Sequence, residues 1–593
     1  MDAKRRELLS RIAVALIFVA AIAVRCFLAA NEPLHPLANL RIDDTSLMAN
    51  AVDLLQGNWL GPYDEATLAK NLGYPALLCL PYYTGLSYGT LLGLGLGLSC
   101  VVFFFAIKPL VSSMWIRLAL SLALLFMPAL FTFEMFQRLH RLGVVIPFVI
   151  ALFASYAALW LRRDRGFVAL VPWVACISVC FPALYLIKED GAWMYPFVGV
   201  VSLLLVLCWV IAAIKQRREE GQSVLQSVGK RFGYVALRLV LVGLPFVSLF
   251  AVTSFVRNVN YQTYGVNMLC ERTDGNYARF YHDLIAIDVG ESDEAIWTSN
   301  KALERAIEVS PTLASINSEL WNQWNRWAEM GHEGDHAQGE MPKDLGTWAL
   351  RDAYGDAIGF TDAVAANDFW GSAANELEAA FADGRLEQKD GIWVSSGMQP
   401  VPLERFPSLM TRDVWRVLRA TLSGEHQSVK GPIGNEDSEY VQNAYRMLNV
   451  SVNPTLRQLS EFVARVAVKL GKILAIPVSI FLALCFVAVL VRAIVARDKD
   501  AWSIVLIVAG YVLSCVVIAV GVWWMCEYSV LEGTHHNLYH YSAAMYPLVY
   551  MSGALCLGYI VQIMLDGETV LGRRQKGRSA GGKHMAKEPK KRS

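Results

Sequence analysis

The chain has 593 residues, 55% of them hydrophobic and only 18% charged, with a mean hydropathy of +0.37. That composition excludes a soluble globular enzyme, a disordered scaffold and a nucleic-acid-binding protein with a basic groove. The net charge of +1 conceals a division: residues 258–470 carry 31 acidic and 18 basic residues, the remainder 21 and 35, so an acidic block sits inside a basic, very apolar frame. A membrane helix needs about 20 mostly apolar residues. Runs near 11–30, 86–107, 114–132, 142–160, 167–186, 194–214, 234–256, 471–492, 502–524 and 542–565 predict ten spans. Residues 73–107 are too short for two crossings and read as a short interfacial piece, Tyr74 to Tyr83, followed by one span. The first run is longer than a signal-peptide core and lacks a small-x-small cleavage site, so it is expected to remain as a span. Most of the eleven cysteines (Cys79, Cys100, Cys176, Cys180, Cys208, Cys485, Cys515, Cys556) lie within apolar runs and read as small packing residues. No Cys/His spacing suggests zinc. Nothing in the spacing argues for a Cys270–Cys526 bridge.

Basic residues collect on the cytoplasmic side of membrane proteins. Lys4, Arg5, Arg6 and Arg11, the segment Lys108–Arg117, Arg162–Arg165, Lys215–Arg231, Arg492–Lys499 and the tail from Arg573 to Arg592 all fall on one side in a single topology. It places both termini in the cytoplasm and residues 258–466 outside. The expected fold is an all-α polytopic membrane protein of about ten transmembrane helices in the cell membrane, with a mostly helical extracytoplasmic domain between spans seven and eight. The expected divisions are a transmembrane module, 1–257, with a first outer loop, 31–73; an acidic domain, 258–466; three helices, 467–566; and a basic tail, 567–593.

The same topology gathers ionisable residues on the outer side: Asp43, Asp44, Asp64, Glu65 and Lys70, then Glu134, Arg138, His140 and Arg141, then Lys188, Glu189 and Asp190, and last Glu527, His535, His536, His540 and Tyr541. Each alone is explained by the headgroup region. As a set of acids and cations at span ends they are functional candidates, because charge at membrane depth is costly unless paired or wet. In the first loop, Leu47, Ala51, Leu54 and Leu55 fall at helical spacing, and Gly57 is a stop signal. An aspartate pair therefore heads a short amphipathic helix, and Asp44 before Thr45 reads as a capping region.

An acidic pair after the first span, an amphipathic helix, Gly57-Asn58-Trp59, and Lys70 ahead of Tyr74-Pro75 resemble the GT-C glycosyltransferases, which include protein O-mannosyltransferases and aminoarabinose transferases. Lys188-Glu189-Asp190 resembles a later charged outer loop of some members. The chain departs in Asp44 where glutamate is common, in Gly73-Tyr74-Pro75 where Lys-Pro-Pro is common, and in its large insert. The motif match covers residues 1–80, with looser likeness in topology through 257. The resemblance implies transfer of a sugar from a polyprenyl-phosphate-linked donor to a glycan, lipid or protein acceptor of the cell envelope, with inversion, as in polysaccharide biosynthesis. It implies Asp43 as general base and Asp44 as second candidate or metal ligand. Lys70, Arg138 and Arg141 would hold the carrier phosphate. Glu189, Asp190, His536, His540 and Tyr541 would meet substrate or a divalent cation, Mg or Mn; no other cofactor is implied. Membrane lipid is an expected partner and nucleic acid is not. Two other classes stay open: a transporter or flippase of lipid-linked glycan, and a non-catalytic glycan-binding relative. Largely uncharged spans with charge gathered on one face favour surface chemistry over passage.

In the acidic block, Glu294–Ile307 and Asp368–Ala382 carry helical periodicity. Trp321, Trp324 and Trp327 read as a core stripe, or as a sugar-stacking platform or a membrane-resting edge. Gly346–Ala353 resembles a block in uncharacterised bacterial relatives, which implies kinship and no role. His332-Glu333-Gly334-Asp335-His336 matches a zinc-protease pattern, but Gly331 and Gly334 argue for a loop instead of the helix that motif requires. Asn449-Val450-Ser451 is a formal glycosylation sequon.

Overall fold

The computed structural model describes residues 3–37, 41–215, 224–290, 293–331, 339–424, 427–531 and 536–573. Among them nine helices are long and apolar enough to cross a membrane, and sheet is confined to three two-stranded pairs. The chain is an all-α polytopic membrane protein. Helices dominate because hydrocarbon offers no partner to a backbone N–H or C=O, so each apolar run must satisfy its own.

In chain order, the first helix α1 (Ala3–Asn31) leads to α2 (Ser46–Gln56), the short α3 (Gly73–Leu78) and α4 (Leu80–Thr84), then α5 (Tyr88–Ala106) and α6 (Met114–Leu125). The bundle continues with α7 (Leu142–Leu161), α8 (Val171–Ile187), α9 (Tyr195–Lys215) and α10 (Val224–Tyr264). Gly57 ends α2 at φ +80°, and the piece around Tyr74–Tyr83 is the α3–α4 pair. Gly57 alone allows that left-handed turn without strain.

α1 and α5 run antiparallel with their backbones nearly touching. Gly93 has no room for a side chain: a Cβ there would lie 2.7 Å from the Cα of Cys26. Gly89 faces Ala29, and Gly97 faces Ile22. This four-residue glycine repeat is the small-residue face that lets membrane helices approach closely. Gly93→Leu should cost about 3 kcal/mol or more through overpacking and forced separation. Thermal unfolding of the purified protein measures it, and an unchanged midpoint would reject the close α1–α5 seam.

The run at 114–132, expected as one plain span, forms only the 12-residue α6. A 3₁₀ turn, Pro128–Phe131, and a π turn, Phe133–Gln137, follow it. Ser10 near the start of α1 meets Met114 and Trp115, whereas Arg138 meets Asp44, so Met114–Gln137 climbs the bundle from one end to the other. Irregular backbone is tolerated at membrane depth when protein covers it, and Ala129–Phe131 and Glu134–Gln137 are buried. α7 lies at the centre, buried along almost its whole length.

After α10 come α11 (Gly275–Ala286), β1 (Ile287–Asp288), β2 (Ile296–Thr298), α12 (Asn300–Val309), α13 (Pro311–Ala314) and α14 (Asn317–Gly331). Then follow β3 (Met341–Pro342), α15 (Gly346–Ala357), α16 (Ala363–Ala382), β4 (Glu387–Gln388), α17 (Phe406–Ser408), α18 (Val414–Ser423) and α19 (Glu439–Met447). β1 pairs with β4 and β2 with β3, both antiparallel. Residues 296–298, expected as part of a helix, are instead drawn into the β2–β3 pair. The chain ends its described part with α20 (Pro454–Val495), α21 (Lys499–Leu531), α22 (His536–Tyr541), α23 (Met545–Leu565) and a small hairpin, β5 (Glu568–Thr569) and β6 (Gly572–Arg573).

The boundaries read from composition at 257/258 and 466/467 fall inside α10 and α20, because both helices continue past their apolar stretch. The acidic segment also divides. Residues 264–386 build a core around Phe280, Trp324 and Trp370, and this core takes in Leu60, Tyr63, Leu68 and Ala69 of the first loop. Residues 401–468 pack into the transmembrane core instead. Trp324 and Trp327 are buried, as a core stripe requires. All eleven cysteines are free. The His332–His336 motif lies outside the described residues.

Candidate functional site

The acid pair sits on a π turn, Arg41–Thr45, that runs straight into α2. Thr45 is the residue before α2 and no side chain caps the helix, so the capping role expected near Asp44 is not used. Asp44 is fully buried. It accepts from Leu37 N at 3.1 Å and from Arg138 Nε and Nη2 at 3.2 and 2.9 Å. Burial raises its pKa to about 6, against the pull of Arg138. Asp43 remains a quarter exposed; it pairs with Lys70 Nζ and lies 3.6 Å from Arg138 Nη2. Burial opposes its ionisation, but the positive charges of Lys70, Arg141 and Arg138 overcome that and hold its carboxyl well below the usual carboxylate range.

Lys70 is 3% exposed and its pKa is lowered by burial, which Asp43 partly offsets. Its next neighbour is an aromatic face: Nζ stands 5.5 Å from the Trp348 ring, and the Arg272 guanidinium covers the same ring at 4.6 Å. Arg141 Nη1 donates to both oxygens of Glu189 at 2.8 and 2.7 Å. Glu189 also accepts from Asn71 N at 2.9 Å, which ties the loop bearing Lys70 to the end of α8. Burial alone would raise the Glu189 pKa; Arg141, Lys70 and the Asn71 amide bring it down to about 2. The His140 and His540 ring centroids lie 4.4 Å apart, with the rings tilted by 45°. Burial first, and then the neighbouring cations, holds both well below the usual histidine range, so both are neutral. Among the described residues His140 Nδ1 and Arg141 Nε are buried without a hydrogen-bond partner.

Seven sequence-expected residues thus converge: Asp43, Asp44, Lys70, Arg138, Arg141, Glu189 and His540. Asp190 is half exposed and turns to Lys188 at 2.5 Å. Tyr541 offers its ring to Lys188 at 5.1 Å. His535 and the side chain of His536 lie outside the described residues. A divalent ion needs several oxygen ligands. Here each clustered carboxylate already faces a cation, and among the described residues no group of three or more His, Cys, Asp and Glu side chains is placed to hold a metal.

Sequence reasoning missed Arg272, Trp348 and the clamp on the first loop. Glu271 N donates to Leu68 O at 2.9 Å, Tyr264 OH to Gly61 O at 2.8 Å, and Trp59 Nε1 to Asn260 Oδ1 at 2.7 Å. Arg351 pairs with Glu271, which also accepts from Tyr63 OH at 2.7 Å, and Arg351 reaches Glu65 O at 3.1 Å. The insert is therefore the mould in which the Lys70 loop sets. Arg272 and Arg351 are two of the 18 basic residues of the acidic block, and nothing in the linear sequence sets them apart or reveals their partners.

A groove of about 370 Å³ opens beside the 3₁₀ turn at Pro128–Phe131, lined by Pro128, Gln427, Leu470, Leu474, Val478 and Tyr546 among others. Gln427 leads into Ser428–Lys430, which brackets the π turn before Arg138. Phe133 N donates to Ser428 O at 2.7 Å, and Lys430 N to Gln137 Oε1 at 2.9 Å. No protein-family model, curated protein or solved structure matches this chain.

Proposed function

We propose that the chain is a membrane glycosyltransferase that moves a sugar from a polyprenyl-phosphate carrier to an acceptor of the cell envelope on the extracytoplasmic face. The observation that carries this reading is one partly exposed carboxylate, Asp43, inside a shell of Lys70, Arg138 and Arg141. In this reading the chain crosses the membrane ten times, with Met114–Gln137 as the third crossing, and both termini are cytoplasmic.

The chemistry matches the residues. A lipid phosphate leaves as a stable anion, so it needs cations more than a strong acid. Lys70 and Arg138 supply them. In the resting protein Asp43 neutralises these cations itself. An incoming phosphate takes its place, and the carboxylate loses the charges that depress its basicity. It is then a free base beside the anomeric carbon, able to accept the proton of an attacking hydroxyl. Attack opposite the departing phosphate inverts the anomeric centre. Asp44 is a positioning residue that aims Arg138. The apolar groove next to the π turn holds the first units of the carrier chain. The cluster's own cations serve the phosphate, so no metal enters any step.

Binding of a polyprenyl phosphate to the purified protein tests this. Charge-assisted contacts contribute about 1.5–3 kcal/mol, so Lys70→Ala and Arg138→Gln should each weaken binding by about 10- to 150-fold. Unchanged affinity in both variants would leave the carrier-binding reading without support.

A further inference from the structure

At the opposite end of the bundle, near the start of α1, a second charged site lies far from the acid pair. A cavity of about 610 Å³ opens there between α1, α5 and α6. Its walls are apolar, with Val14 and Phe18 on one side and Val101 and Phe104 on the other; its rim carries Arg11, Lys108 and Arg117. A second cleft of about 360 Å³ flanks the other side of α5 and is bounded by Arg162 and Trp173. The two clefts share Val101, Phe105 and Lys108.

Helix capping accounts for part of this positive charge. Arg117 Nη1 donates to Phe104 O at 3.2 Å, and Arg162 donates to Ala106 O and Phe105 O at 2.8 and 2.6 Å, which covers the last carbonyls of α5. A helix C-terminus carries only about half an elementary negative charge, against three cations. Arg117 is 5% exposed, yet among the described residues its Nε has no hydrogen-bond partner. Among the described residues no carboxylate pairs with Lys108, Arg117 or Arg162; Arg11 alone has one, Glu7 at 2.6 Å. Surplus positive charge therefore stands at the junction of two apolar clefts.

We propose that this end of α5 binds an anionic glycerophospholipid astride the helix, its phosphate at Lys108 and Arg117 and one acyl chain in each cleft. The paired clefts select a two-chain lipid over a single-chain carrier, and basic pockets between membrane helices are known recognition sites for anionic headgroups. The proposal is independent of the transfer reading.

Native mass spectrometry of the full chain in detergent tests it, with phosphatidylglycerol, phosphatidylcholine of the same chains and a polyprenyl phosphate as probes. Each basic residue near an anionic headgroup strengthens binding by about fivefold. One phosphatidylglycerol should bind at least about fivefold tighter than phosphatidylcholine, and Lys108→Glu should abolish the difference. Arg117→Gln should reduce it, and because Arg117 is buried, the exposed Lys108 decides the matter if that variant folds poorly. Lys499→Glu, on an exposed residue outside both clefts, should change nothing. Equal binding of the two phospholipids, an equal loss in Lys499→Glu, or tighter binding of the polyprenyl phosphate at this site would each overturn the proposal.

Discussion

Replacing Asp43 by asparagine should lower sugar transfer by about 10²–10⁴-fold, the usual contribution of a general base. Carrier affinity should be unchanged or higher, because the substitution removes the anion that competes for Lys70 and Arg138. Single-turnover transfer and carrier binding, measured on the same preparation, separate the two effects. Near-normal transfer in Asp43→Asn would exclude the base role and return weight to a binding or transport function.

The pH profile adds a second check. Asp43 stays ionised through the neutral range, whereas Asp44, raised to about 6, takes up a proton just below neutrality and releases its hold on Arg138. The acid limb of wild-type transfer should therefore lie near pH 6 and disappear in Asp44→Asn, which should be slow but flat. Stability runs in the opposite sense for the two kinds of carboxylate. Asp43 and Glu189, with depressed values, stabilise the fold above about pH 4 and lose that contribution as pH falls through their folded values. Asp44 contributes fully only below about pH 4, its unfolded value, and loses that contribution as pH rises through about 6.

The second large effect is expected at the clamp on the Lys70 loop. Arg351→Met leaves Glu271, 6% exposed, without its counter-charge, and removing one partner of a buried pair costs about 3–5 kcal/mol. Adding Glu271→Gln removes the stranded charge and keeps an acceptor for Tyr63, so most of the stability should return. Carrier affinity should not return with it, because the contacts from Arg351 to Glu65 O and Thr67 O are still missing. Denaturation and carrier binding of the double variant, measured side by side, distinguish positioning from plain support. A double variant that binds carrier like the wild type would show that the insert only stabilises.

Patterns repeated along the chain were legible in the sequence. Apolar runs of about 20 residues became helices, apart from 114–132, Gly57 stopped α2, and the Tyr74–Tyr83 piece formed two short helices. Gathering acids and cations by side of the membrane brought out Asp43, Lys70, Arg138, Arg141 and Glu189, because helix ends at one level must meet. Choices between partners were not legible. Asp44 reads locally as part of a cap, yet a guanidinium from 94 residues away and the Leu37 amide outcompete that local role. Asp190 reads as part of a carboxylate group with Glu189, yet consecutive residues point apart at the end of a helix, and only Glu189 faces Arg141. Residues 296–298 have helical spacing, but their pairing depends on Met341 and Pro342, far along the chain. The Gly89-Gly93-Gly97 repeat is visible in the chain, but an apolar run alone satisfies the span criterion, so the span itself does not depend on it.

That repeat constrains how the sequence can drift. At Gly89 and Gly93 the obstruction is main chain, from Ala29 and Cys26. No exchange of side chains on α1 moves a main chain aside, so these two positions should be invariant wherever the α1–α5 seam is kept. At Gly97 the obstruction is the Ile22 side chain, at 2.7 Å. A larger residue there can be accommodated if position 22 shrinks. Across homologous chains, positions 22 and 97 should therefore covary in volume, whereas 89 and 93 should not vary at all.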